Sequence, residues 1–111
     1  MYSDENGDSK FQDIFLPLKD SGEIGFLSEI VPASGIIFRE VSSDYDYDFH
    51  NAPRKQYLVL TDGGIEIETS TGDKRNFNTG EILLLEDTTG KGHRTRNLEK
   101  RKRRSLFIPI E

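Results

Sequence analysis

Between residues 57 and 86 the chain reads as short apolar or alternating runs cut by turn clusters, and this rhythm constrains the fold more than any other feature. The run Tyr57-Leu58-Val59-Leu60 leads into Thr61-Asp62-Gly63-Gly64 and then Ile65-Glu66-Ile67-Glu68-Thr69. The period of two in the last run places the isoleucines on one face and the glutamates on the other, the mark of a strand with one wet side. Turn residues at 70–73 and 78–80 set off two further runs at 74–77 and 81–86, because glycine, asparagine and aspartate accept the backbone angles that tight turns need. Upstream, residues 23–30 and 35–41 read as extended. Residues 105–110 close the chain, with Pro109 suited to a strand end or edge. Ten Ile, seven Phe, seven Thr and four Tyr against two Ala make a strand-former's composition. About eight strands spaced by about eight to twelve residues predict an all-β antiparallel sandwich or barrel with little helix.

With 111 residues and no cysteine, the chain suits one domain. It has no disulfide framework, no thiolate nucleophile and no cysteine-held metal. No apolar run approaches the ~20 residues that cross a bilayer. The opening MYSDENGDSK is acidic where a leader would be basic and then apolar, so a cytoplasmic location is expected. Residues 1–9 are expected to form a flexible N-terminal arm ahead of a single domain at 10–111.

The formal charge of −5 is uneven, since residues 91–104 hold eight basic residues and one acid, leaving −12 on the rest. A small acidic body with one basic segment does not suit nucleic acid, which is met by cationic groups spread over a face. Lys100-Arg101-Lys102-Arg103-Arg104 resembles a nuclear-localisation or polyanion patch. It runs straight into the last strand, however, and is read as a solvated hairpin loop. Gly90-Lys91-Gly92 has no following helix whose N-terminus would bind phosphate, and no Gly-x-Ser-x-Gly supports a serine nucleophile.

The two histidines, His50 and His93, stand on either side of the central strands, within HNAPRKQYLVLTDG and GEILLLEDTTGKGHRTRN. These segments resemble the two motifs of the cupin superfamily. His50 falls at the first histidine, Ala52 at the second, Gln56 at the glutamate and Gly63 at the closing glycine. In the second motif Gly80 opens, His93 falls at the histidine and Asn97 four residues beyond, with the intervening turn two residues longer than usual. HNAPRKQ with EDTTGKGH, together with FRE and RRSLFIP, is similar to a group of small single-domain cupins, over about residues 11–110.

The resemblance implies a cupin-type antiparallel β-barrel, jelly-roll-like, in which His50, Gln56 and His93 converge inside. An imidazole pair can hold Fe, Mn, Zn, Ni or Cu. Ala52 cannot ligate, and the neutral Gln56 oxygen donates more weakly than a carboxylate. Glu86 or Asp87 is therefore expected to restore a carboxylate beside His93, with Glu86 as ligand or general base. Arg54 and Lys55 border the same mouth, and the expected substrate-binding residues are Arg54, as a clamp for a carboxylate or phosphate, and Tyr57. The strict alternation at residues 44–50 puts three aspartates and His50 on one face and three aromatics on the other, so that Asp48 orients His50. The blander reading makes residues 42–47 a solvated loop or edge with its acids in water. The expected function is a small-molecule pocket, with a divalent metal, acting on a small organic acid. The alternative is a cupin without metal that binds a ligand or a protein partner. A homodimer is expected in either case.

Overall fold

The computed structural model describes residues 1–110, and it is built almost wholly of strands. In chain order these are β1 (Tyr2–Ser3), β2 (Ser9–Lys10), β3 (Lys19–Asp20), β4 (Phe26–Leu27), β5 (Ile37–Val41), β6 (Asp46–His50), β7 (Gln56–Leu60), β8 (Ile65–Thr69), β9 (Lys74–Phe77), β10 (Ile82–Leu85), β11 (His93–Asn97) and β12 (Arg103–Pro109). Among the described residues the one helical element is a 3-10 turn at Gly22–Ile24, overlapping the start of the stretch 23–30 expected to be extended. Among the described residues no helix is long and apolar enough to cross a membrane.

Two four-stranded antiparallel sheets, ordered β10-β7-β12-β5 and β6-β11-β8-β9, carry the architecture. The alternation read from the sequence decides which side chains lie between them. In β8, Ile65, Ile67 and Thr69 are buried while Glu66 and Glu68 face outward, and in β7 Gln56, Leu58 and Leu60 are buried while Tyr57 and Val59 are half-exposed. Leu58, Leu60, Leu83 and Leu85 from one sheet meet Ile65 and Ile67 from the other, with Ala52, Phe77 and Phe107 packed against them.

Residues 1–9, expected to hang free, are instead folded onto the domain. β1 and β2 pair as a hairpin, and its turn is held by Asp4, whose Oδ1 accepts the N–H groups of Asn6 at 2.9 Å and Asp8 at 3.0 Å. Lys91 N–H donates to the Gly7 carbonyl at 2.7 Å, Ser3 Oγ donates to the Thr89 carbonyl, and Ser9 is fully buried. The acidic residues that looked solvated are therefore turn formers, their short side chains replacing backbone partners.

The long turn before His93 is shaped by the same contact. Gly90 and Gly92 both have φ above +70°. A Cβ on Gly90 would run into the Gly7 carbonyl, and one on Gly92 into the carbonyl of His50. Gly92 thus lets the chain pass close against β6 one residue before His93. Because positive φ and a backbone clash coincide there, Gly92→Ala is expected to cost about 2 kcal/mol or more, measured by chemical denaturation. Gly72→Ala, where the added methyl meets nothing within 4 Å, should cost less.

Candidate functional site

His50 ends β6 and His93 begins β11, and the antiparallel register sets them directly opposite one another. The register does not run evenly. Between this pair and the next, Thr95 with Tyr47, β11 advances two residues while β6 advances three. This bulge breaks the strict alternation read at residues 44–50. Tyr47 and His50, which alternation assigns to opposite faces, both turn to the inside. With Tyr45 they line one cavity of about 240 Å³ between the sheets, whose wall also includes Gln56, His93, Thr95, Arg39 and Phe107. The acids of this stretch stay on the outside, as the blander reading had it, with Asp46 in a two-point ion pair with Arg94.

The imidazole rings are fixed by what each Nδ1 touches. His50 Nδ1 lies 2.7 Å from the Asp48 backbone carbonyl, which can only accept, so Nδ1 carries the proton. Burial keeps this ring below the ordinary histidine pKa, against the opposing pull of that carbonyl, so it stays neutral with a free lone pair on Nε2. The carbonyl of Asp48 does the orienting. Its carboxylate instead accepts the Phe49 N–H at 2.9 Å. Tyr47 stacks on the His50 ring at 3.7 Å between centroids. On the facing strand, His93 Nδ1 meets Asp87 Oδ2 at 2.5 Å, and the same oxygen accepts the Ser9 hydroxyl at 2.7 Å. With Nδ1 set against this carboxylate, Nε2 is the His93 nitrogen left for a metal.

Two rings with open Nε2 atoms therefore face one cavity, their centroids 4.6 Å apart. A metal held by each Nε2 at ~2.1 Å places two neighbouring imidazole centroids about 4.5–5 Å apart, so the spacing suits one shared ion. Gln56, 1% exposed, adds a third donor, since its Oε1 is buried without a hydrogen-bond partner. The donor set has no carboxylate: among the described residues no group of three or more His, Cys, Asp or Glu is placed to hold a metal.

The other expected site residues are not brought here. Glu86 faces the opposite side of β10, where it lines a second cavity with Met1 and Phe11 and lies 4.0 Å from Lys55. It can be neither ligand nor base for the histidines. Asp87, one residue on, faces inward, but its Oδ2 is used in holding His93 and is not offered as a ligand. Arg54 is exposed and absent from the cavity wall. Tyr57 points away from the cavity, as strand alternation requires beside inward Gln56 and Leu58.

Arg39, Tyr45 and Arg103 were not singled out by the sequence. Arg39 stands on the wall with its guanidinium 5.0 Å from the Tyr45 ring and 4.8 Å from the Phe107 ring. Arg103, in the middle of the basic run read as a solvated loop, is 1% exposed. Its stem lies against Gly63, where an added Cβ would come within 3.2 Å, and its Nε donates to Asn97 Oδ1 at 2.9 Å. The signal was the alternation RRSLF, which puts Arg103, Ser105 and Phe107 on one face.

No protein-family model matches the chain, and no curated protein matches it. Among solved structures it is similar to the protein NMB1881 from Neisseria meningitidis, at 19% identity over 75% of this chain and 81% of that one, with a TM-score of 0.51. It is also similar to the EutQ protein of Clostridium difficile, at 16% identity over 68% of this chain and 55% of that one, with a TM-score of 0.42. A third similar structure is CapF, a capsular polysaccharide assembling protein from Staphylococcus aureus, at 12% identity over 89% of this chain and 30% of that one, with a TM-score of 0.49. The likeness to NMB1881, a cupin-fold protein, together with the two antiparallel sheets, shows that the chain has the cupin fold.

Asp87 joins the N-terminal hairpin to the His93 ring from a fully buried position. Asp87→Asn is expected to cost about 3 kcal/mol and Ser9→Ala about 1 kcal/mol. The double variant should fall short of the sum, because both act through one oxygen. Denaturation midpoints of the three variants check this.

Proposed function

We propose that the protein is a small single-domain cupin, of the group marked by HNAPRKQ and EDTTGKGH, whose cavity binds a divalent transition metal and receives a small organic acid. His50 Nε2, His93 Nε2 and Gln56 Oε1 are the metal donors. The observation that carries this reading is the coincidence of two imidazoles protonated on Nδ1 and a buried, unpartnered amide oxygen on one cavity wall. When bound, Fe, Mn, Zn, Ni or Cu would supply Lewis acidity beside the ligand. Three neutral donors leave the ion's charge undiminished, so affinity should be modest and an anionic ligand should strengthen it. Asp87 holds the His93 ring, Asp48 and Tyr47 hold the His50 ring, and the aromatic wall keeps bulk water away from the donors.

A second reading is favoured by one feature of the wall. Among the described residues no aspartate or glutamate lines the cavity, so proton transfer would fall to the imidazoles alone. A pocket without turnover, serving as a carrier or sensor, fits that wall equally well.

Metal-stripped protein should take up close to one equivalent of at least one of the five metals, measured by titration calorimetry and elemental analysis. His50→Ala and His93→Ala should each abolish uptake, with the double variant little worse than either single one, since the donors act as a unit. Gln56→Glu should tighten binding by returning an anionic oxygen. Failure of all five metals, or weaker uptake by Gln56→Glu, sinks the metal reading in favour of the metal-free pocket.

A further inference from the structure

Two guanidinium groups stand close together on the β5–β12 pair, and among the described residues neither has an ion-pair partner. Arg39 sits opposite Ser105 across the β5–β12 pair, and Arg103 sits opposite Val41, one step farther along the barrel. Among the described residues Arg39 enters no ion pair. It is held flat between the Tyr45 and Phe107 rings, facing the cavity. Arg103 is buried and spends only Nε on Asn97; both of its terminal nitrogens, and the neighbouring Ser105 hydroxyl, are buried without partners. A buried polar group without a partner is costly, and an unpaired cation more so. Arg103 feels this, its pKa pushed down to about 10 by burial and by Arg39, yet it remains a cation at neutral pH. Nearby acids do not relieve it. Asp62 uses its Oδ1 on the Arg104 N–H, and Glu40 faces outward to Arg104.

We infer that Arg39 and Arg103 form the anion-receiving end of the cavity and that the ligand is a small carboxylate lying along the barrel axis. Arg39 takes the carboxylate in its planar fork, the geometry that favours a guanidinium over an ammonium for this group. Arg103 stands behind it as a fixed charge with the Ser105 hydroxyl, and the far end of the ligand reaches the imidazoles. The small cavity and the aromatic walls limit the ligand to a short chain. This assignment rests on reading the cavity as the ligand site, but it does not need the metal.

The test uses the intact protein with malonate, acetate, inorganic phosphate and neutral malonamide as probes, followed by thermal melting with and without zinc. Malonate and acetate should raise Tm in a saturable way, and malonamide should not. Arg39→Gln should abolish the carboxylate shift while the protein still takes up zinc, which separates this proposal from the metal reading. Arg103→Lys keeps the fixed charge and should retain the shift, whereas Arg103→Gln removes it and should weaken the shift at least tenfold in concentration. No carboxylate-dependent shift, a shift that survives Arg39→Gln, or an equal response to phosphate overturns the proposal.

Discussion

Asp87 is the contact on which the rest of the structure depends. Its carboxylate, with no exposed surface, accepts the hydroxyl of Ser9 and the Nδ1 proton of His93. Its backbone carbonyl accepts the N–H of Ala52, two residues after His50. One residue therefore ties the N-terminal hairpin, the turn after β6 and the start of β11 together. A buried carboxylate persists only when its partners are fixed, because an uncompensated charge there is costly. The N-terminal hairpin is thus part of the support for the imidazole pair, and the glycines that let residues 7 and 90 touch are part of the same device.

The cavity that results has an unusual charge pattern. Among the described residues its wall carries arginine and two imidazoles but no acid, with a second, buried guanidinium at Arg103. A divalent ion added at the histidines would make the interior strongly cationic, and a carboxylate added at Arg39 would offset it. The proposed metal and ligand are thus coupled by simple electrostatics: each should bind more tightly when the other is present, by the same factor. The outer acids do not cancel this field at close range, since Asp46 and Glu66 already pair with Arg94 and Arg96 across the strands.

Much of this was legible in the sequence, and the parts that were not share a physical cause. Strand positions and the all-β class follow from period-two alternation, a local property, whereas the placing of His50, Gln56 and His93 on one cavity was implied by the resemblance to the cupin motifs. The inward turn of Tyr47 alongside His50 was hidden because one bulge residue reverses the parity of a strand, and no residue type marks that bulge. Glu86 and Asp87 were interchangeable on the page, yet adjacent strand positions face opposite ways, so only one could reach His93. Arg103 was misread for a different reason. A basic run suggests solvent, but the run continues into β12, where alternation sends one arginine inside regardless of charge. The hairpin at residues 1–10 was missed because Asp4, Asn6 and Asp8 are as common in turns as in disorder, and the partner that orders them lies some 80 residues away.

Apolar residues make up only 33% of the chain, and the fully buried hydrophobic core is small, with Leu58, Leu60, Ile65, Ile67, Leu83 and Leu85 at its centre. Among the described residues seventeen large apolar side chains are instead exposed, twelve of them between Ile14 and Phe38. The interior of the barrel gives up part of its packing to a cavity and to buried polar groups that have no partner among the described residues. A ligand bound as proposed would relieve those groups and return part of the stability that the single chain forgoes in its core.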